Sequence, residues 1–154
     1  MRAFHARYYV ASNLTLALVG DLDRAQAERI AESIAQRLPA GKPAPVLPPA
    51  TAPGARETVR ILYPSRQSHI LIGALGMRRD DPDYFDLYVA NHVFGGSGFS
   101  SRLLNAIRER HGLAYSAYSY FLPMDQRGPF LLGVQTRNAQ AAQTIELALA
   151  ELTV

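Results

Sequence analysis

The stretch that decides the fold is Phe94-Gly95-Gly96-Ser97-Gly98-Phe99-Ser100-Ser101-Arg102-Leu103-Leu104-Asn105-Ala106-Ile107-Arg108-Glu109-Arg110-His111-Gly112-Leu113-Ala114-Tyr115-Ser116-Ala117-Tyr118-Ser119-Tyr120. Its glycines end a preceding helix, because a residue without Cβ ends helices readily. Ser100 or Ser101 then restarts a short helix with Leu103, Leu104 and Ile107 inward, and Gly112 closes it. From Leu113 to Phe121 the pattern changes to alternation rich in aromatics, which predicts a strand. Its antiparallel partner is Phe130 to Thr136, reached through a loop holding Pro123, Gly128 and Pro129.

Working outward, Asp80-Asp81-Pro82-Asp83 is a helix start, with proline in the first turn and acids at the positive dipole end. The helix that follows is expected to bury Phe85, Tyr88, Val89, His92 and Val93 on one stripe. Upstream, Thr58 to Tyr63 and Ser68 to Leu75 read as strands joined by a turn at Pro64-Ser65-Arg66. Residues 13 to 19 read as a further buried strand, followed by a turn at Gly20-Asp21. Asp21 or Asp23 caps a helix whose apolar positions are Ala27, Ile30, Ala31, Ile34 and Leu38. Six prolines between Pro39 and Pro53 forbid helix and ladder alike and predict an extended linker. Downstream, Asn138 caps a last helix. The fold class is α+β, an antiparallel sheet packed by helices. The expected organisation is a closing β-α unit at 1–38, a Pro/Ala-rich linker at 39–56 and a domain at 57–154, with both ends expected to be truncated.

Composition narrows the function. Hydrophobic residues make up 48% of the 154 and charged residues 19%, enough apolar mass for a core. No run approaches the ~18 apolar residues of a membrane span, so membrane insertion is not expected. The net charge is +3, but the arginines are scattered and no basic run interleaves with aromatics. Nucleic acid is therefore not an expected partner. Absence of cysteine removes disulfides, thiolate metal sites and cysteine nucleophiles together.

Catalytic zinc needs about three converging ligands, two of them close together on one helix face. The four histidines are His5, His69, His92 and His111, none within a helical turn of another, so no metal site is expected in this chain. His92 reads better as a packed core histidine, and His111 as a cation suiting a helix C-terminus. The segment Gly95-Gly96-Ser97-Gly98 follows a helix rather than a strand and lacks the lysine of a phosphate loop. It is either a helix-to-helix corner or a flexible functional loop.

The stretch from Phe94 to Tyr120 resembles the second domain of the pitrilysin-type (inverzincin) zinc metallopeptidases, the group of insulysin and the mitochondrial processing peptidase. Phe4-His5, Tyr8-Tyr9, Asn13 and Val19-Gly20-Asp21 resemble the close of that family's first domain. Arg79 to Phe85 resembles the approach to its long helix. The resemblance implies two homologous halves, one holding zinc through H-x-x-E-H and the other donating an arginine and, seven residues later, a tyrosine. Arg108 and Tyr115 stand at that spacing and would be the catalytic pair. Gly95, Gly96, Ser97, Gly98 and Phe99 stand where the mitochondrial enzyme carries its substrate loop, and would bind substrate. The implied activity is peptide cleavage, with zinc as cofactor of the complete enzyme and none in this chain. The implied partners are a peptide and a zinc-bearing homologous domain or subunit. Taken alone, Arg108 and Arg110 could be cations at a helix C-terminus, and Tyr115 a core or interface aromatic sharing a strand face with Leu113 and Ala117. A catalytically silent structural subunit of the same fold is the other function the resemblance admits. The alanine- and arginine-rich style points to a bacterial protein, with the periplasm favoured over the cytoplasm.

Overall fold

The computed structural model describes residues 1–153, which divide into two compact units, Met1–Leu47 and the remainder from Pro48. The first unit holds α1 (Arg2–Tyr8) and α2 (Arg24–Ala35). Asp23 caps α2 through a reciprocal pair: its carboxylate accepts from the Gln26 N–H at 2.7 Å, and Gln26 Oε1 accepts from the Asp23 N–H at 2.9 Å. That capping box satisfies donors the helix itself cannot. Asn13 donates to Tyr8 O at 2.9 Å and accepts from the Ala44 N–H at 2.7 Å, and so ties α1 to the proline segment. Val10 is buried against Gly41, where any Cβ would collide with the valine.

Residues 13–19, expected as a strand, carry no ladder, and Leu14, Leu16 and Leu18 stay more than a third exposed. Likewise 58–63 is not a strand, and Val59, Ile61, Leu62 and Tyr63 are largely exposed. Both segments have strand composition, yet neither finds a neighbouring strand among the described residues. A strand's backbone groups are satisfied only by such a neighbour.

The second unit is built on one antiparallel sheet in the order β1-β3-β2 (β1 Gln67–Leu75, β2 Ala114–Phe121, β3 Pro129–Arg137). Against it lie α3 (Tyr84–Asn91), α4 (Arg102–Leu104), which continues as a π-helix over Asn105–Arg110, and α5 (Ala141–Glu151). The core joins Leu103, Leu104 and Ile107 to Leu113, Ala117, Leu132, Val134 and Ala148. Two buried threonines cross it: Thr136 donates to Leu113 O at 2.7 Å, and Thr144 donates to Gln140 O at 2.9 Å. Buried hydroxyls thus keep partners, as apolar surroundings require.

The stripe assigned to the core on α3 faces outward instead: Phe85, Tyr88, Val89 and Val93 are 52–75% exposed, and His92 is exposed as well. The inward stripe is Tyr84, Leu87, Asn91 and Phe94. Asn91 decides the choice, because it accepts from Ser119 Oγ at 2.7 Å and donates to Ser119 O at 3.2 Å across to β2. Asn138 is not a helix cap either. Its side chain accepts from Ser68 Oγ at 2.9 Å and donates to Ser65 O at 2.7 Å, fastening the start of β1 to the end of β3.

Candidate functional site

Arg108 lies in the π-helical turn that follows α4, and Tyr115 lies just inside β2. Between them Gly112 takes φ +59, a conformation only glycine adopts without strain. The helix closes there with Gly112 N–H donating to Arg108 O at 2.9 Å and Leu113 N–H donating to Ile107 O at 2.9 Å. These bonds reach one residue further back than an ordinary glycine-closed helix end, the signature of the wider π turn. The result folds the strand back beside the arginine.

Tyr115 should be buried if β2 alternated strictly, since Leu113 and Ala117 are 5% and 4% exposed. It is 76% exposed. The reason is a bulge: Ala114 pairs with Thr136 and Ala117 with Val134, so three steps on β2 match two on β3. Tyr115 and Ser116 form the extra length, and a bulge re-aims the side chains it carries. The ring turns outward, with the Arg108 guanidinium carbon 4.8 Å from its centroid.

A second ring covers Arg108. Phe99, itself 71% exposed, lies 5.0 Å from the same guanidinium. Glu109 Oε1 stands 3.4 Å from Arg108 Nε, while one terminal nitrogen, NH1, is buried without a hydrogen-bond partner. A charged donor in that state is held in place by packing and stacking more than by acceptors.

The glycine segment divides into two parts. Gly95 is buried, and a Cβ there would run into Ser119. It serves the close packing of helix on strand and presents nothing outward. Gly98, at φ +63 and with open space around it, makes the turn that carries Phe99. Ser101, and not Ser100, caps α4: its buried hydroxyl accepts from the Leu104 N–H at 3.3 Å and donates to Gly98 O at 2.8 Å. Of the five loop residues, Gly96, Gly98 and Phe99 are exposed and Ser97 is half-buried.

The structure therefore brings Arg108, Tyr115 and Phe99 together and leaves Gly95 inside. Sequence reasoning missed the bulge, the Phe99 stack and the Glu109 ion pair. The run of small residues Ser116-Ala117, which interrupts the alternation of large ones, was the available sign of the bulge.

Among the described residues no three of His, Cys, Asp and Glu are grouped so as to hold a metal ion. No helix of the described residues is long and apolar enough to cross a membrane.

The family described as peptidase M16 inactive domain matches residues 1–153. An uncharacterized zinc protease of Streptomyces coelicolor is 30% identical over 159 aligned positions, covering 99% of this chain and 34% of the relative. The uncharacterized zinc protease YmxG of Bacillus subtilis is 37% identical over 91 positions, 57% of this chain and 22% of its own length. The crystal structure of a peptidase M16 inactive domain from Pseudomonas fluorescens superposes with a TM-score of 0.89 at 40% identity, over 99% of this chain and 37% of that one. The chain thus spans about a third of the length of these longer relatives. It belongs to the peptidase M16 family and is an inactive domain of that zinc-protease family. The sequence resemblance pointed to the same family, and the α+β fold agrees with its solved member.

Proposed function

We propose that this chain is the substrate-holding and carbonyl-polarising half of a zinc metalloendopeptidase that cleaves extended peptides. The observation that carries the reading is the Arg108 guanidinium stacked 4.8 Å over the ring of a Tyr115 that is open to solvent. A scaffold needs no guanidinium stacked beside an exposed phenol. Among the described residues no group of His, Asp or Glu is suited to hold zinc. A zinc-bearing homologous domain or partner chain would hold it and supply the Lewis acid and activated water of such peptidases.

Two jobs fall to this chain's own residues. The Tyr115 phenol donates its O–H to the scissile carbonyl oxygen, where negative charge grows as the carbon becomes tetrahedral. A donor aimed at developing charge is worth about 3–4 kcal/mol. Arg108 offers a planar fork of donors to main-chain carbonyls of the peptide. The peptide itself adds as a strand to an open sheet edge, main chain to main chain. Gly96, Ser97, Gly98 and Phe99 flank that path, and removing Gly96 and Ser97 alters peptide affinity. The site is complete only when the two halves close on substrate.

The test is Tyr115→Phe in an assembly of this chain with its zinc-bearing half. It lowers kcat by about 10² or more through the loss of one oxyanion donor. A normal rate would leave the second reading, a catalytically silent structural subunit of the same fold, which the family's description as an inactive domain also admits.

A further inference from the structure

Orienting an arginine usually consumes it. A carboxylate that clamps the fork in two places fixes its plane, and takes the N–H groups that a substrate would need. Arg108 is arranged otherwise. The ring centroids of Phe99 and Tyr115 lie 5.0 and 4.8 Å from the guanidinium carbon, Glu109 reaches only Nε, at 3.4 Å, and NH1 is buried without an acceptor. Stacking on ring faces orients a guanidinium while leaving its in-plane donors unspent.

We infer that Phe99 is a positioning residue, whose ring fixes the plane of the Arg108 guanidinium so that its donors meet the peptide. The inference rests on the proposed function, since it gives Arg108 a substrate to meet. Phe99 is suited to the task because it does not sit on a loose loop. Gly98 O accepts from both the N–H and the hydroxyl of Ser101, at 3.1 and 2.8 Å. Ser101 is wholly buried and caps the helix whose continuation carries Arg108. Ring and guanidinium thus belong to one hydrogen-bonded piece of chain, nine positions apart. Tyr115 gains by the same arrangement: with Phe99 present, the cation is held beside it and its phenol is left to the substrate.

The experiment compares Phe99→Leu, Phe99→Tyr and Arg108→Lys, and the Leu–Lys double variant, in the assembly with the zinc-bearing half, using a fluorogenic peptide. Phe99→Leu keeps the apolar bulk and removes the π face. It lowers kcat about 3- to 5-fold, the scale of one solvent-exposed cation–π contact, with a smaller change in KM. Phe99→Tyr restores most of the rate. Arg108→Lys costs less in the Phe99→Leu background than in the native one, because both remove the same contact. The thermal midpoint stays put, as Phe99 is 71% exposed. Full activity in Phe99→Leu, a Phe99→Tyr no better than leucine, or losses that simply multiply in the double variant would each overturn the positioning role. A neutral Arg108→Lys overturns the proposed function as well. A severe Arg108→Lys with a normal Phe99→Leu overturns the positioning role alone.

Discussion

The two units of this chain obtain their order by opposite means. From Met1 to Leu47 only Val10 is buried among the described residues, and α2 stands on a capping box with Ile30 and Ile34 still 38% exposed. From Pro48 onward three strands and the helices against them enclose a core reaching zero exposure at Leu103, Ile107, Leu132 and Ala148. A helix can satisfy its own backbone and needs only its ends finished by side chains. A strand cannot. That is why helix α2 forms in the first unit while residues 13–19, with equally apolar composition, make no ladder. The candidate site belongs to the second kind of order: the bulge and the π turn are held where they are by packing.

Substitutions can break this contrast or sharpen it. The largest effect on stability is expected from Leu103→Ala, at about 2–5 kcal/mol for a fully buried leucine, read by chemical denaturation. Amide exchange should then speed up throughout β1–β3 while α2 keeps its native rates. Equal acceleration in α2 would show that its order depends on the core after all. Asp23→Ala is a smaller blow, about 1 kcal/mol for a lost cap. It should raise exchange within α2 and leave the sheet untouched. Protection unchanged in α2 would mean the capping box contributes nothing.

The smallest effect concerns Asp80, fully exposed at the start of the α3 segment. The hydrogen bonds from the Arg78 guanidinium, at 2.7 and 2.9 Å, hold its carboxyl below the ordinary 3.8. A depressed carboxyl favours the folded state above its unfolded value and loses that contribution as the pH falls through the lower folded one. NMR titration should find the Asp80 midpoint below 3.8 in the native chain and back near it in Arg78→Gln. An exposed pair of this kind is worth little to stability. An unmoved midpoint would dissolve the pair.

What the sequence disclosed follows the same division. Helix α2 was legible because Asp23 and the three-and-four spacing are local signals. The pairing of β2 with β3 was legible because alternation and a proline–glycine loop adjoin each other. Helix α3 was found, but its face was misjudged: both stripes are apolar, and the choice fell to Asn91, whose partner Ser119 lies 28 residues away. Asn138 looked like a cap, yet it bonds with Ser65 and Ser68, which no local rule connects to it. In the site, the spacing of Arg108 and Tyr115 was plain from the family resemblance. The outward turn of the ring was not, because strict alternation assigned Tyr115 to the core. Nor does the interval between Phe99 and Arg108 by itself announce that they touch.

The bulge has a consequence of its own. Tyr115 looks outward because two residues, where regular pairing has one, stand between the paired positions Ala114 and Ala117, and no particular side chain at 116 enforces it. The direction of the phenol therefore follows from the register of the flanking pairs. Exchanging Ser116 for another small residue leaves that register alone, and dropping it would leave Tyr115 as the single residue between the two positions that pair with buried Thr136 and Val134, still turned outward. A family built on this domain can drift widely in composition here and still keep its tyrosine turned outward, provided the pairs on either side stay in register.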